Sequence, residues 1–133
     1  VSLELIRFLS LQNVLQIHDD TIAHEGGSAG VRDEGLLASG VEMPQARFAD
    51  QYLHADLAEM AAAYLFHICQ YHALLDGNKR TAALSMVLFL DINGIPEDAL
   101  PPESELEEVT LKVATGGMTK PQIAAFLRNI AIA

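Results

Sequence analysis

Residues 72–94 read HALLDGNKRTAALSMVLFLDING, and the change of character inside that stretch decides how the chain folds. Its first part is polar and turn-forming, with Asp76-Gly77-Asn78 a run that ends one helix and opens another. Its second part, from Ala82 to Leu90, is apolar almost throughout, which predicts a helix enclosed by protein on every side. It falls short of the roughly 20 apolar residues that a bilayer crossing needs. Asn93-Gly94 supplies the left-handed terminator common at helix ends. The expectation is a buried central helix whose N-terminus opens at a glycine-containing turn carrying His72, Asp76, Asn78, Lys79 and Arg80.

The first N–H groups of a helix lack internal partners and sit at the positive end of its dipole, so they attract anions, phosphate above all. Lys79 and Arg80 add two cations there, in a chain with only eight basic residues. Asp76 offers a hard oxygen ligand suited to magnesium, although a plain N-cap role would use the same oxygens. His72 is the one side chain of the group that can take a proton near neutral pH, set against the simpler fate of a helix-end histidine tied to a carbonyl. Gly77 lets an anionic oxygen approach the backbone. Asn78 reads as a turn former or as an amide on a phosphate. Arg80 reads as a two-pronged phosphate grip or as a solvated surface arginine. Base, metal ligand and phosphate cradle within nine residues outline a phosphoryl- or nucleotidyl-transfer site.

Working outward, Ser10 is an N-cap before a helix ending near Glu25 and Gly26-Gly27. Asp33 caps a short helix around Leu36, Leu37 and Val41 that stops before Pro44. Residues 3–9 read as an extended lead-in or a strand, and Pro44 to His54 is irregular. A helix runs from about Ala55 to Gln70. After the central helix come Pro96, Pro101 and Pro102, then a capping box at Ser104–Glu107 and a helix ended by Gly116-Gly117. Thr119–Gln122 is a second capping box, with Pro121 in the first turn. Six helices with short links and no β-alternation give an all-α single domain over residues 1–133.

Half the residues are hydrophobic and a fifth charged, which excludes disorder. A net charge of −10 argues against nucleic-acid binding through a basic surface. Cys69 is the only cysteine, so no internal disulfide forms, and a small buried residue is the expectation. No signal peptide or membrane span is visible, which makes the cytoplasm the expected compartment. His18, His24, His54 and His67 show no zinc spacing and receive no role.

The run from His72 through Asp76-Gly77-Asn78-Lys79-Arg80-Thr81 resembles the core motif of the Fic/Doc family, and within it the Doc (death-on-curing) toxin branch. The upstream GGSAGVRDEGLLASGVEMPQ, residues 26–45, is similar to the same branch, and the likeness covers nearly the whole chain. It implies a six-helix Fic/Doc-like bundle in which His72 accepts the proton of a target hydroxyl and Asp76 holds magnesium. Gly77, Asn78, Lys79 and Arg80 would then hold the phosphates of ATP. In the adenylylating branch a glycine stands where Lys79 is and a second arginine where Ala83 is. Crowding the loop and losing that arginine both argue against AMP transfer in the usual pose. The Doc branch implies instead that ATP lies reversed and that its γ-phosphate passes to a protein hydroxyl, with elongation factor Tu the associated target and translation the process blocked. It also implies an antitoxin partner covering the site.

Two other readings stay open: nucleotidyl transfer to a protein hydroxyl, and a catalytically silent domain that binds nucleotide or a partner. Ala73-Leu74 stands where the family has Pro-Phe, so looser aim of His72 and reduced activity are expected. Thr21 to Gly26 has the spacing of the family's inhibitory-glutamate motif. That glutamate pairs with the second arginine, here Ala83, so Glu25 is expected to be an exposed last-turn residue. Pro44–His54 sits where the family carries a flap that docks the target by strand addition.

Overall fold

A computed structural model describes residues 5–130. Six helices make up the body: α1 (Leu11–Glu25), α2 (Glu34–Glu42), α3 (Leu57–Tyr71), α4 (Asn78–Ile92), α5 (Glu103–Ala114) and α6 (Lys120–Arg128). The fold is all-α, as expected, apart from one small hairpin. Its strands β1 (Arg47–Phe48) and β2 (Gln51–Tyr52) pair antiparallel, Arg47 opposite Tyr52 and Phe48 opposite Gln51. Ala49 and Asp50 form the bend with φ of 51° and 64°. Two successive positive φ values match the twist of a tight hairpin, but the usual sequence mark is Asn-Gly. Ala-Asp hides the turn, which is why the segment reads as irregular.

Helix starts follow local chemistry. Ser10 accepts from the Asn13 N–H while Asn13 returns to the Ser10 N–H, a reciprocal cap. Asp33 and Asp56 cap α2 and α3, and Thr119 with Gln122 closes the box at α6. The capping box expected at Ser104 does not form. α5 starts two residues earlier, at Glu103 after the N-cap Pro102, whose carbonyl accepts from Glu105 and Leu106. Ser104 therefore lies inside the first turn, and Glu107 reaches toward Arg80 instead of back along its own helix. Three helices, α1, α4 and α5, end at or beside a glycine of positive φ: Gly26, Gly94 and Gly116. After α4, Gly94 at φ 93° donates to Asp91 and Ile95 donates to Leu90, the two-bond arrangement that satisfies terminal carbonyls.

Enclosure on all sides, expected of α4, belongs to α3. Eleven of its fifteen residues are buried, with Ala58, Ala61, Ala62 and Ala63 letting neighbouring helices come close. α4 lays one stripe on it, including Ala82, Met86, Phe89 and Leu90. Two small polar residues, Thr81 and Ser85, share that stripe; the Ser85 hydroxyl donates to the Thr81 carbonyl at 2.7 Å, while the Thr81 hydroxyl has no partner among the described residues. Leu84, Val87 and Leu88 lie on the other side, half-buried in a groove beside Ile17 of α1. A backbone-bonded hydroxyl behaves inside a helix bundle almost as a small apolar group, so the pattern of large apolar residues did not mark the buried face.

Residues 6–10 have no regular secondary structure; residues 3 and 4 of the expected lead-in lie outside the described part. This segment is tied down at both ends. The Leu9 N–H donates to the buried Tyr64 hydroxyl at 2.8 Å, and the Asn93 amide bonds both the N–H and the carbonyl of Arg7. No helix among the described residues is long and apolar enough to cross a membrane.

Candidate active site

α3 and α4 meet at the turn 72–77. His72 ends α3 in the left-handed conformation, φ 51° and ψ 44°. A non-glycine residue there costs on the order of 1 kcal/mol, so the surroundings must hold it. They do so on the side after the histidine. Ala73 and Leu74 are buried, and the Ala73 carbonyl accepts from the Arg32 and Asp33 N–H groups at 2.7 and 3.1 Å. Leu74 bridges Val31, and the Leu75 N–H donates to the Gly30 carbonyl at 3.2 Å. The 30–33 segment thus clamps the loop that a Pro-Phe pair would otherwise stiffen. The Ala73-Leu74 pair, from which looser aim is expected, is held by this bridge.

Asn78 completes the brace. It is buried, its Oδ1 accepts from the Leu74 N–H and its Nδ2 donates to the Leu74 carbonyl, each at 3.0 Å. The amide expected on a phosphate is therefore committed to the loop. The N-cap of α4 is Gly77, at φ 77°, and no side chain caps it. That corrects the alternative N-cap role of Asp76 and leaves the first turn of α4 without a side-chain acceptor. A Cβ at Gly77 would meet His18, Ile22 and Thr21 at ordinary contact distances, so the glycine is required by its φ and not by crowding.

The Asp76 carboxylate accepts from the Gly77 N–H at 3.0 Å and the Ser28 N–H at 3.2 Å, with no cation of the described residues paired to it. A Cβ on Gly27 would sit 2.6 Å from Asp76 Oδ2, so Gly27 is what admits this carboxylate. His18, given no role from the sequence, is buried and donates its Nε2–H to the Asp76 carbonyl at 2.8 Å. It fixes the peptide that carries the carboxylate.

His72, Asp76, Gly77, Asn78, Lys79 and Arg80, the six residues singled out above, all line one cavity of about 460 Å³. Its other walls come from Glu25 of α1, Ala83 of α4, and Glu107, Thr110 and Leu111 of α5. Lys79 is exposed and has no ion-pair partner among the described residues. Arg80 is half-buried and not free. Its guanidinium lies 2.6 Å from Glu103, 3.4 Å from Glu107 and 3.5 Å from Glu25. The hydrogen bond to Glu103, with the nearby Glu25 and Glu107 charges, pushes its pKa above the ordinary arginine value. Glu25 is thus a wall of the cavity paired with the first arginine. Glu25 is the exposed last-turn residue expected, but the expectation that it has no part in the site is corrected, because the sequence offered Ala83 as the only partner to test.

No group of three or more metal-ligating side chains exists among the described residues. A magnesium ion here would have Asp76 as its protein ligand and would take its remaining oxygens from water and phosphate, which is how that ion is commonly bound beside nucleotides. Asp76 has unused lone pairs and opens into the cavity, so the donor set fits such an ion.

Residues 8–90 match the profile of the Fic/DOC family. The chain belongs to that family. Over 125 residues it is 34% identical to "Protein kinase doc" of Escherichia phage P1, covering 94% of this chain and 96% of that protein. It is 40% identical over 108 residues to "Toxin Doc" of Mycolicibacterium smegmatis, 81% of this chain and 83% of the relative. The family match spans every cavity residue from α1 through α4 but stops before α5, which supplies Glu103, Glu107, Thr110 and Leu111. In this Fic/DOC chain the wall from α5 comes from beyond the matched segment. Arg32, Glu103 and Glu107 were missed because they are brought in from distant turns of the chain. Only Glu25 carried a local signal, the Thr21-to-Gly26 spacing.

Proposed function

We propose that the chain is a Doc-type toxin that moves the γ-phosphate of ATP to a hydroxyl of a target protein. The observation that supports this most is the convergence of His72, Asp76 and the uncapped N-terminus of α4 on one cavity, with Lys79, a cation unpaired among the described residues, at its edge. The names of the two relatives, a protein kinase and a toxin, agree with it.

In this reading the first-turn N–H groups of α4 and Lys79 hold the phosphate chain, since dipole and charge both favour an anion there. Asp76 would hold magnesium, which would supply positive charge to offset that of the phosphates. His72 takes the hydroxyl proton on a ring nitrogen as the hydroxyl oxygen bonds to the γ-phosphorus. The bond from that phosphorus to the bridging oxygen breaks, and ADP leaves. Asn78 serves by holding Leu74, and so His72, in place. Arg80 contributes to phosphate binding only to the extent that phosphate outcompetes its carboxylate partners. The hairpin 47–52 with Phe48, 80% exposed at its tip, is the edge on which a target chain docks. Elongation factor Tu as target, an antitoxin as inhibitor and the cytoplasm as compartment complete the proposal.

The test uses purified chain, magnesium, cell lysate and ATP labelled at one phosphate at a time. Transfer of γ-label that disappears in His72→Ala is the expected result. Transfer of α-label would make the chain a nucleotidyltransferase, and transfer of neither would leave a binding domain.

A further inference from the structure

Arg32 reaches His72 from the clamp segment, its Nη1 standing 3.3 Å from His72 Nδ1. Arginine has donors only, so the nitrogen it meets must present a lone pair. A neutral imidazole has one such nitrogen. The proton of the neutral ring then sits on Nε2, and the only site that could accept another is occupied by Arg32. Whichever edge of the ring faces the cavity, His72 cannot take a hydroxyl proton while this bond persists. From this we infer that Arg32 is a positioning residue that selects the tautomer of His72 and masks its basic nitrogen until the guanidinium moves off.

Two further observations favour such a role. Arg32 has no carboxylate at ion-pair distance among the described residues, so nothing else holds its side chain on His72. It is also outside the cavity lining, which separates it from the groups assigned to phosphate. Its backbone, by contrast, is fixed by the N–H bond to the Ala73 carbonyl at 2.7 Å. The side chain can therefore swing or be replaced without loosening the bridge between residues 30–33 and 73–75. The masking rests on the structure alone; its effect on turnover rests on the phosphotransfer reading.

The experiment is a two-bond proton–nitrogen correlation spectrum of the full ¹⁵N-labelled chain at a pH where His72 is neutral, with His72→Ala assigning its signals among the five histidines. The parent is expected to show a bare Nδ1 and a protonated Nε2, and Arg32→Lys to keep that pattern. Arg32→Gln can accept from the ring, so its proton is expected to move toward Nδ1. A parent with the proton on Nδ1, or an Arg32→Gln spectrum identical to the parent, would overturn the inference whether or not the chain is a kinase. Where γ-phosphate transfer is measurable, Arg32→Gln should be faster than the parent by about two- to fivefold, the weight of one exposed hydrogen bond to a charged group. A fall toward the His72→Ala rate would overturn the masking and make Arg32 a helper of the base.

Discussion

Replacing Asn78 separates two accounts of the motif that its letters cannot. If the amide binds phosphate, Asn78→Ala weakens nucleotide binding and leaves folding alone. If it braces the loop, as its bonds to Leu74 indicate, the damage is to stability first. Both Leu74 and Asn78 are buried, Leu74 completely, so water cannot replace what is lost. The two hydrogen bonds, each 3.0 Å, contribute about 1 kcal/mol apiece, and the stranded Leu74 N–H and carbonyl add a desolvation penalty of similar size. The loss should reach roughly 3 kcal/mol, which for a chain of this length is about 10 °C in Tm. Urea unfolding followed by circular dichroism, at fixed pH and without nucleotide, measures it. A midpoint within about 0.5 kcal/mol of the parent, the usual range for an inert surface change, would refute the brace and return the amide to the phosphate.

His72→Gly should be more stable than His72→Ala by about 0.5–1 kcal/mol, because only glycine occupies φ 51° without strain; both should lack phosphotransfer, and calorimetry beside the label assay checks the pair. Gly27→Ala places a Cβ against Asp76 Oδ2 at a φ of 109°, so magnesium-dependent transfer should fall well before the fold does, read as a raised magnesium requirement. Glu25→Gln removes one of three carboxylates from Arg80 and should tighten nucleotide binding two- to threefold, about 0.5 kcal/mol for a partly exposed pair; unchanged affinity by calorimetric titration would mean that Arg80 does not meet the nucleotide. A last prediction concerns acid. Burial, with Lys120 and His54 adding, pushes the His67 pKa down to about 4, and the Lys120 ammonium donates to both imidazoles at 2.9 and 3.1 Å. Between about pH 6.5 and 4 the unfolded chain binds more protons than the folded one, so stability is full above the unfolded pKa and falls as pH drops through that window. The loss should be on the order of 2 kcal/mol by pH 4 and smaller in His67→Gln, measured by urea midpoints at pH 7 and pH 4.5.

The parts of this molecule that sequence reading reached are those whose cause is local. A cap needs a Ser, Asp or Thr at a fixed offset from the helix it starts, so Ser10, Asp33 and Thr119 announced three helices. The cluster from His72 to Arg80 is contiguous, and one turn followed by one helix start was enough to bring its members to a single cavity. What escaped has its cause elsewhere in the chain. Arg80 looked like a free cation because its three carboxylates arrive on α1 and α5. Asn78 looked like a ligand because the peptide it braces is recognisable only once the loop is closed. Ala73-Leu74 looked like a weakness because the compensating bridge from residues 30–33 lies forty positions upstream in the chain. In each case the motif supplies the chemical group, while the distant contact decides what that group is bonded to. The same logic applies to His72: its letter supplies an imidazole, and in the inference drawn above Arg32 decides whether its lone pair is free.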